Sequence, residues 1–437
     1  MRVLLISPGH DGEHAQHKSH RRVHRDPPPL GLLYVATALK TAGYEVDILD
    51  THVESKWLTL LKMSLEHCDY LWAGLTCIIG QRQRNAAEVT LRLKELRPDL
   101  PVVWGGTMAT VMGEGLKAAY PQVDHVVQGE GETWAADFST GLMGQWLSPI
   151  PPTTKPDWRL FGAHYNREQV PYFWMIHTSR GCPMLCTFCY KHTATGGYRL
   201  MPLEDVKAQI RTMHEQTGGR VWTIGDDNFL GDSKRAMAIL RWMKEQGFYF
   251  EEIIGHVGQL TEPIAEAMAG VVSTFIFSVE SASPRLQRLI KKGVNLKTLP
   301  TKMGWLAKHG VVANCSFIFG LPTETATERA QNSALMRLIR NEHDMVRGVS
   351  YLCFPLPGTP ILDTIEQYYS VSARWPVKEY EEANIWPEPG DAGNRFRPWM
   401  SKGEYDDVVA EAIAFREDWA FPRPAPYKLD EMEPISD

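Results

Sequence analysis

Two successive runs of alternating apolar strands and amphipathic helices, parted by a proline-rich stretch, restrict this 437-residue chain to a parallel α/β architecture. In the first run Val3–Ile6, Glu45–Leu49, Tyr70–Gly74, Val102–Trp104 and His125–Val127 have strand character. Leu30–Ala42 and Ala86–Leu96 between them repeat apolar residues at helical spacing, and Gly43 stands where a glycine ends a helix. Such alternation builds a doubly wound parallel sheet whose ligands sit beyond the carboxyl ends of its strands. Those ends carry Ser7-Pro8-Gly9, Gly74-Leu75-Thr76, Gly105-Gly106-Thr107 and Gly129-Glu130-Gly131-Glu132. Glycine there lets a large ligand approach the backbone. No strand is followed by G-x-G-x-x-G, which disfavours a dinucleotide, and the Glu130 segment lacks the lysine of a phosphate-binding loop.

Residues 147–170 are rich in proline and polar side chains and read as a linker. Strands recur at Trp174–Thr178, Val221–Ile224, Ile253–His256, Thr274–Val279, Ala313–Phe319 and Gly348–Phe354. Pro202 opens a helix that Gly218-Gly219 closes, and Asp232 caps the next, which Gly247 ends. Six strand–helix repeats predict a partial (β/α)6, TIM-like barrel with its chemistry at the carboxyl ends of the strands. The expected division is a first domain over 1–146, the linker over 147–170, the barrel over 171–365, and a small cap and tail over 366–437. Within that cap, Glu404–Trp419 has helical character.

Cys182, Cys186 and Cys189 form a C-x-x-x-C-x-x-C array just after the first barrel strand. Three thiolates hold three irons of a four-iron cubane and leave the fourth open to an outside ligand. A structural zinc site is the rival reading, but it wants four closed ligands and a second cysteine pair. Cys68, Cys77, Cys315 and Cys353 lie scattered in apolar segments, as small buried hydrophobes do. His192 follows closely and is a further candidate ligand, though second to a solvent-facing role.

Composition narrows the partners. With 46 Lys and Arg against 52 Asp and Glu, the net charge of −6 provides no basic face for nucleic acid. Met1-Arg-Val-Leu-Leu-Ile-Ser-Pro reads as a strand and not as a secretory leader. No apolar run reaches membrane-spanning length. An odd cysteine count fits a reducing cytoplasm. His10, His14, His17, His20 and His24, mixed with Arg21, Arg22 and Arg25, read as a long polar loop over the ligand side of the sheet in preference to a metal site.

Around Cys182–Cys189 the chain resembles the radical S-adenosylmethionine (SAM) superfamily, whose cluster loop is C-x-x-x-C-x-Φ-C; Phe188 fills the aromatic position. Gly225-Asp226-Asp227-Asn228-Phe229 is similar to a segment common in cobalamin-binding members. Ser278-Val279-Glu280-Ser281, followed by Lys291-Lys292-Gly293, is similar to the family's fourth strand and helix. Phe317–Thr325 and Phe354–Pro360 resemble its fifth and sixth strands. Pro28–Leu33, Val103–Gly106 and Gly129–Glu132 resemble the cobalamin-binding domain fused to one large subgroup, whose best-known members are methyltransferases. Two departures stand out. Ser316 occupies the place of a family glycine, and Asp11-Gly12-Glu13-His14 does not match the D-x-H-x-x-G that brings a histidine to cobalt.

The resemblance implies a four-iron, four-sulfur cluster on Cys182, Cys186 and Cys189, with SAM on the open iron. It implies SAM contacts at Phe188, Tyr190, Asp226, Asp227, Glu280, Ser281, Gly320 and Pro355. Cobalamin contacts are expected at Gly74, Thr76, Gly105, Gly106, Gly129 and Glu130, and a lower cobalt face near Cys77, Gln81 or Arg82. Trp386, Arg395, Arg397 and Trp399 of the cap either line the gap between the domains or serve only in packing. The implied activity is reductive cleavage of SAM and transfer of a methyl group, through methylcobalamin, to an unactivated centre of a small-molecule or peptide biosynthetic intermediate. A flavodoxin or ferredoxin would supply electrons. The alternatives are cyclisation, rearrangement or oxidation without methyl transfer, and a non-catalytic iron–sulfur and cobalamin sensor.

Overall fold

The computed structural model describes residues 1–9, 28–52, 54, 56–132, 134–135, 156–165, 174–191, 196–383, 395 and 397–419. The histidine run, His192 and Trp386 lie outside the described residues. Two parallel sheets carry the fold. The first joins β1 (Arg2–Ser7), β2 (Glu45–Asp50), β3 (Tyr70–Thr76), β4 (Val102–Gly105) and β5 (His125–Val126) in the order β2-β1-β3-β4-β5. Strand order reverses beside β1, and a doubly wound sheet opens its ligand crevice at such a switch. Val3, Leu5 and Val103 turn to one face with the helix Leu30–Thr41, while Leu4, Ile6 and Trp104 turn to the other. Burial on both faces is what a parallel sheet requires.

The second sheet contains β6 (Trp174–Ile176), β9 (Val221–Ile224), β10 (Tyr249–Ile254), β11 (Val272–Glu280), β12 (Val312–Phe319) and β13 (Val346–Leu352), in sequential order and all parallel. Along β12, Cys315, Phe317 and Phe319 pack into the main core with the outer helices. Ser316 faces the opposite side, where its hydroxyl lies 2.7 Å from that of Ser278. Strand β10 begins four residues before the expected Ile253, because Glu251 and Glu252 interrupt the apolar signal of Tyr249 and Phe250. Between β6 and β9, β7 (Ser179–Arg180) and β8 (Arg199–Leu200) form a short antiparallel ladder that polar two-residue strands gave no means to foresee.

The stretch expected as a linker is partly packed. Trp158–Tyr165 is a 3₁₀ helix, and Trp158 meets Trp174 edge-on with ring centroids 5.5 Å apart. Asp157 receives a 2.7 Å hydrogen bond from Lys40, tying this segment to the first helix.

After the barrel the chain returns to the first sheet. Tyr380 is buried in its core with Phe354, Gln83 donates to the Val377 carbonyl at 2.8 Å, and the Tyr120 hydroxyl donates to Glu381 at 2.5 Å. Helix Lys402–Trp419 then lies on β13, where the Ser350 hydroxyl donates to the Ala412 carbonyl at 2.6 Å. Among the described residues no helix is long and apolar enough to cross a membrane.

Candidate functional site

The cysteine loop is built onto the end of β6 by one carboxylate. Asp226, just past β9, accepts hydrogen bonds from the N–H and hydroxyl of Thr178, both 2.6 Å, and from the N–H and hydroxyl of Ser179, at 3.0 and 2.7 Å. Its oxygens are therefore committed to the loop's root. Asp226 is a brace for the loop, which the segment's spacing along the chain gave no way to tell. Beyond it, Thr187 donates to Ile290 at 3.0 Å and accepts from Ile361 N–H at 2.9 Å, so the loop is pinned on its far side too.

Cys186 is buried while Cys182 and Cys189 are half-buried. Burial pushes all three thiols up, that of Cys186 to about 11. Asn228 nearby works against that shift at Cys182. The Asn228 side chain also accepts from His256 N–H at 3.0 Å and donates to Gln259 at 2.8 Å. Among the described residues no three His, Cys, Asp or Glu side chains are placed to share one metal ion. A cubane asks for no such convergence, since each thiolate meets its own iron.

Lys292 stands beside this loop. Its ammonium donates to Glu280 at 3.3 Å and lies 5.9 Å from the Phe188 ring centroid. Burial works against its charge, but Glu280 and Cys186 outweigh it and hold the ammonium's pKa up. Glu280 ends β11 at φ 69°, a left-handed conformation held by this pairing and by the turn behind it. In that turn Ser281 is fully buried, its hydroxyl accepting from Ser283 N–H at 3.2 Å and its carbonyl from Gln287 at 2.7 Å. Ser281 is thus a turn residue.

A cleft with a cavity volume of about 280 Å³ opens between the two sheets, near the lower end of ordinary ligand cavities. Thr76, Gly105, Gly106, Gly129, Glu130, Gly131 and Glu132 line it from the first sheet, and His177, Ser179, Arg180, Gly181, Lys191, Gly225 and Asp227 from the barrel. Gly106 has φ +95°, and a Cβ there would meet the Thr76 hydroxyl at 2.9 Å and the Cys77 carbonyl at 3.0 Å, so this wall admits only glycine. Lys191 and Asp227 form a 2.8 Å ion pair on the opposite wall. Tyr190, one residue away, faces instead a smaller apolar hollow with Ile79, Met108 and Leu356.

Several of the expected residues are not in the lining of this cleft. Gly74 is packed inside the first sheet, its Cβ position 2.6 Å from Trp72 and 2.9 Å from Leu5. Cys77 is buried in the core beneath the cleft, and Gln81 bonds Asn85 at 2.8 Å; neither these nor Arg82 lines the cleft. Gly320 donates to Glu324 at 2.6 Å, accepts from Trp399 Nε1 at 3.3 Å and has Met400 against its Cα, while Pro355 is buried. Arg397 is fully buried, bonding the Cys353 carbonyl at 2.8 Å beside the Phe354 and Tyr405 rings. Arg395 pairs with Glu382 at the surface. These cap residues pack the fold and do not line the gap.

Sequence reasoning passed over the basic side of the cleft. Arg180 forms ion pairs with Glu130 at 2.8 Å and Glu132 at 2.5 Å, and its guanidinium lies 4.9 Å from the Tyr34 ring centroid. Tyr34 stacks on His177 with centroids 6.0 Å apart and accepts a 2.8 Å hydrogen bond from Gln209. The only available signal was an arginine next to Gly181-Cys182, and its partners lie in the other domain.

Comparison with known proteins gives a concordant picture. The B12 binding domain model matches residues 21–139, and the radical SAM superfamily model matches 176–333. An uncharacterised methyltransferase of Pyrococcus horikoshii is 28% identical over 387 residues, covering 82% of each chain. The anaerobic magnesium-protoporphyrin IX monomethyl ester cyclase of Synechocystis is 26% identical, over 52% of this chain and 50% of its own. Among solved structures, the radical S-adenosylmethionine methyltransferase TsrM from Kitasatospora setae, with cobalamin and a 4Fe-4S cluster bound, superposes with a TM-score of 0.66 at 20% identity. The match covers 84% of this chain and 78% of that one, and shows a shared fold.

Proposed function

Because the chain belongs to the radical SAM superfamily and carries a B12-binding domain ahead of its radical SAM domain, we propose that it is a cobalamin-dependent radical SAM methyltransferase. Its substrate is a small-molecule or peptide biosynthetic intermediate. The observation that carries this reading is the glycine-walled cleft set directly against the cysteine loop, with Gly181 and Arg180 on its wall one and two residues from Cys182. Similarity to the Pyrococcus methyltransferase over most of both chains supports methyl transfer.

The residues present fit both groups. Gly105, Gly106 and Gly129 leave a wall without side chains on which a flat macrocycle can rest. Cys182, Cys186 and Cys189 would hold three irons of the cluster, leaving the fourth for SAM. When bound, the cluster supplies the electron that cleaves SAM, and cobalamin carries the methyl group.

The protein's own side chains orient the cysteine loop. Asp226 fixes the root of the loop, Asn228 favours the thiolate of Cys182, and Lys292 sets a positive charge against thiolates that burial disfavours. Phe188, Tyr190, Asp226, Asp227, Glu280, Ser281, Gly320 and Pro355 are the residues expected around SAM. A low-potential donor such as a flavodoxin or ferredoxin and a reducing cytoplasm are the setting this chemistry calls for.

Similarity to the Synechocystis cyclase favours a second reading, in which SAM is cleaved and no methyl is transferred. Anaerobic reconstitution with iron, sulfide and hydroxocobalamin, followed by product analysis with candidate substrates, separates the two. Methyl transfer yields both 5′-deoxyadenosine and S-adenosylhomocysteine. 5′-Deoxyadenosine alone selects the second reading, and no SAM cleavage under strong reductant overturns both.

A further inference from the structure

We infer that Arg180 is a positioning residue that couples occupancy of the cleft to the geometry of the cysteine loop. The inference rests on the proposed placement of cobalamin in the cleft and of the cluster on Cys182, Cys186 and Cys189. At Arg180 contacts between the two domains run directly into the cysteine loop. Its fork spans two carboxylates of the first domain, Glu130 and Glu132, while its own backbone leads through Gly181 into Cys182. The Arg180, Glu130 and Glu132 side chains are only 16%, 20% and 6% exposed, so solvent does little to screen them. Arg199, paired with Arg180 across the β7–β8 ladder, puts a second guanidinium on Glu130.

The carboxylates belong to the cleft wall itself. Gly129, Glu130, Gly131 and Glu132 all line it, and Gly129 N–H is held by the Thr110 hydroxyl at 3.0 Å. A ligand seated against that backbone fixes the segment that carries Arg180's partners. On its other flank, Ser179 is held by Asp226 from within the barrel. The strand leading into the cluster loop therefore has one anchor in its own domain and one in the wall of the neighbouring site. Two sites sharing one ordered element favour each other, and the coupling is reciprocal. A lysine does not reproduce it, since a single ammonium lacks the planar fork that spans two acceptors.

The test is the dissociation constant of hydroxocobalamin, read by absorbance under anaerobic conditions, for the full chain with and without its reconstituted cluster. The wild-type protein is expected to bind at least about five-fold more tightly when cluster-loaded. Arg180→Met and Glu132→Gln are each expected to bring that ratio close to one with iron content unchanged, and Arg180→Lys to restore part of it. A purely structural role would weaken both states alike and leave the ratio intact. An unchanged ratio in either foldable variant, or a wild-type ratio of one, overturns the coupling. Wild-type protein that assembles the cluster but binds no cobalamin overturns the cleft assignment and the inference with it. Should Arg180→Met fail to fold, Glu132→Gln, which keeps side-chain volume, decides the question.

Discussion

The carboxylate of Asp226 holds Thr178 by two hydrogen bonds of 2.6 Å, one from its backbone N–H and one from its hydroxyl. With the matching pair from Ser179, four donors converge on one buried acid. Burial raises the Asp226 carboxyl and the hydrogen bonds oppose it. Asp226→Ala leaves buried donors without a partner and is expected to cost about 2–5 kcal/mol in urea unfolding. Iron retention after reconstitution should fall with it, and Asp226→Asn should recover part of both.

The Lys292–Glu280 pair lies beside Cys186, with both side chains nearly excluded from solvent. Lys292→Met strands a buried carboxylate and is expected to destabilise the protein by about 3–5 kcal/mol. Combining it with Glu280→Gln should return most of that loss. A double-mutant cycle by chemical denaturation measures the coupling.

Five of the seven cysteines should divide cleanly. Cys182→Ala, Cys186→Ala and Cys189→Ala are each expected to abolish stable iron uptake. Cys77→Ala and Cys315→Ala, both in packed cores, should keep it. Iron content and the visible absorbance of the reconstituted protein check this.

Two glycines of the first sheet should fail differently. Gly106→Ala places a methyl against the Thr76 hydroxyl and the Cys77 carbonyl at the cleft wall. Hydroxocobalamin binding should weaken at least about ten-fold, the equivalent of about 1.4 kcal/mol, with iron content unchanged. Gly74→Ala instead overpacks Trp72 and Leu5 inside the sheet and should lower unfolding free energy by about 1–3 kcal/mol.

His177 gives the ligand-free protein a signature in pH. Burial, with Arg180 and Lys191 nearby, pushes its imidazole down from 6.5 to about 3. Between those values the unfolded chain binds a proton that the folded chain refuses. Stability from this group is therefore full above about pH 6.5 and is lost as pH falls toward 3, at up to roughly 1.4 kcal/mol per pH unit. Urea unfolding at pH 7 and pH 5 should show a smaller loss for His177→Gln than for wild type.

What the chain settled through its own local order is considerable. The alternation of strands and helices is written in neighbouring residues, and so are the Asp232 cap, which accepts from Arg235 N–H at 2.9 Å, and the spacing of Cys182, Cys186 and Cys189. Glycines at Gly105, Gly106 and Gly129, which line the cleft, were legible for the same reason, because a strand end is a local feature. Only the tertiary structure decided which charges meet. Asp226 and Asp227 are adjacent, yet one is spent on Thr178 and Ser179 and the other pairs with Lys191 in the cleft. Arg180 found Glu130 and Glu132, and Cys77 went to the core, because the packing of one domain on the other fixes those approaches. Periodicity is set by residues a few positions apart, whereas a buried ion pair depends on distance in space between segments that the sequence keeps far apart.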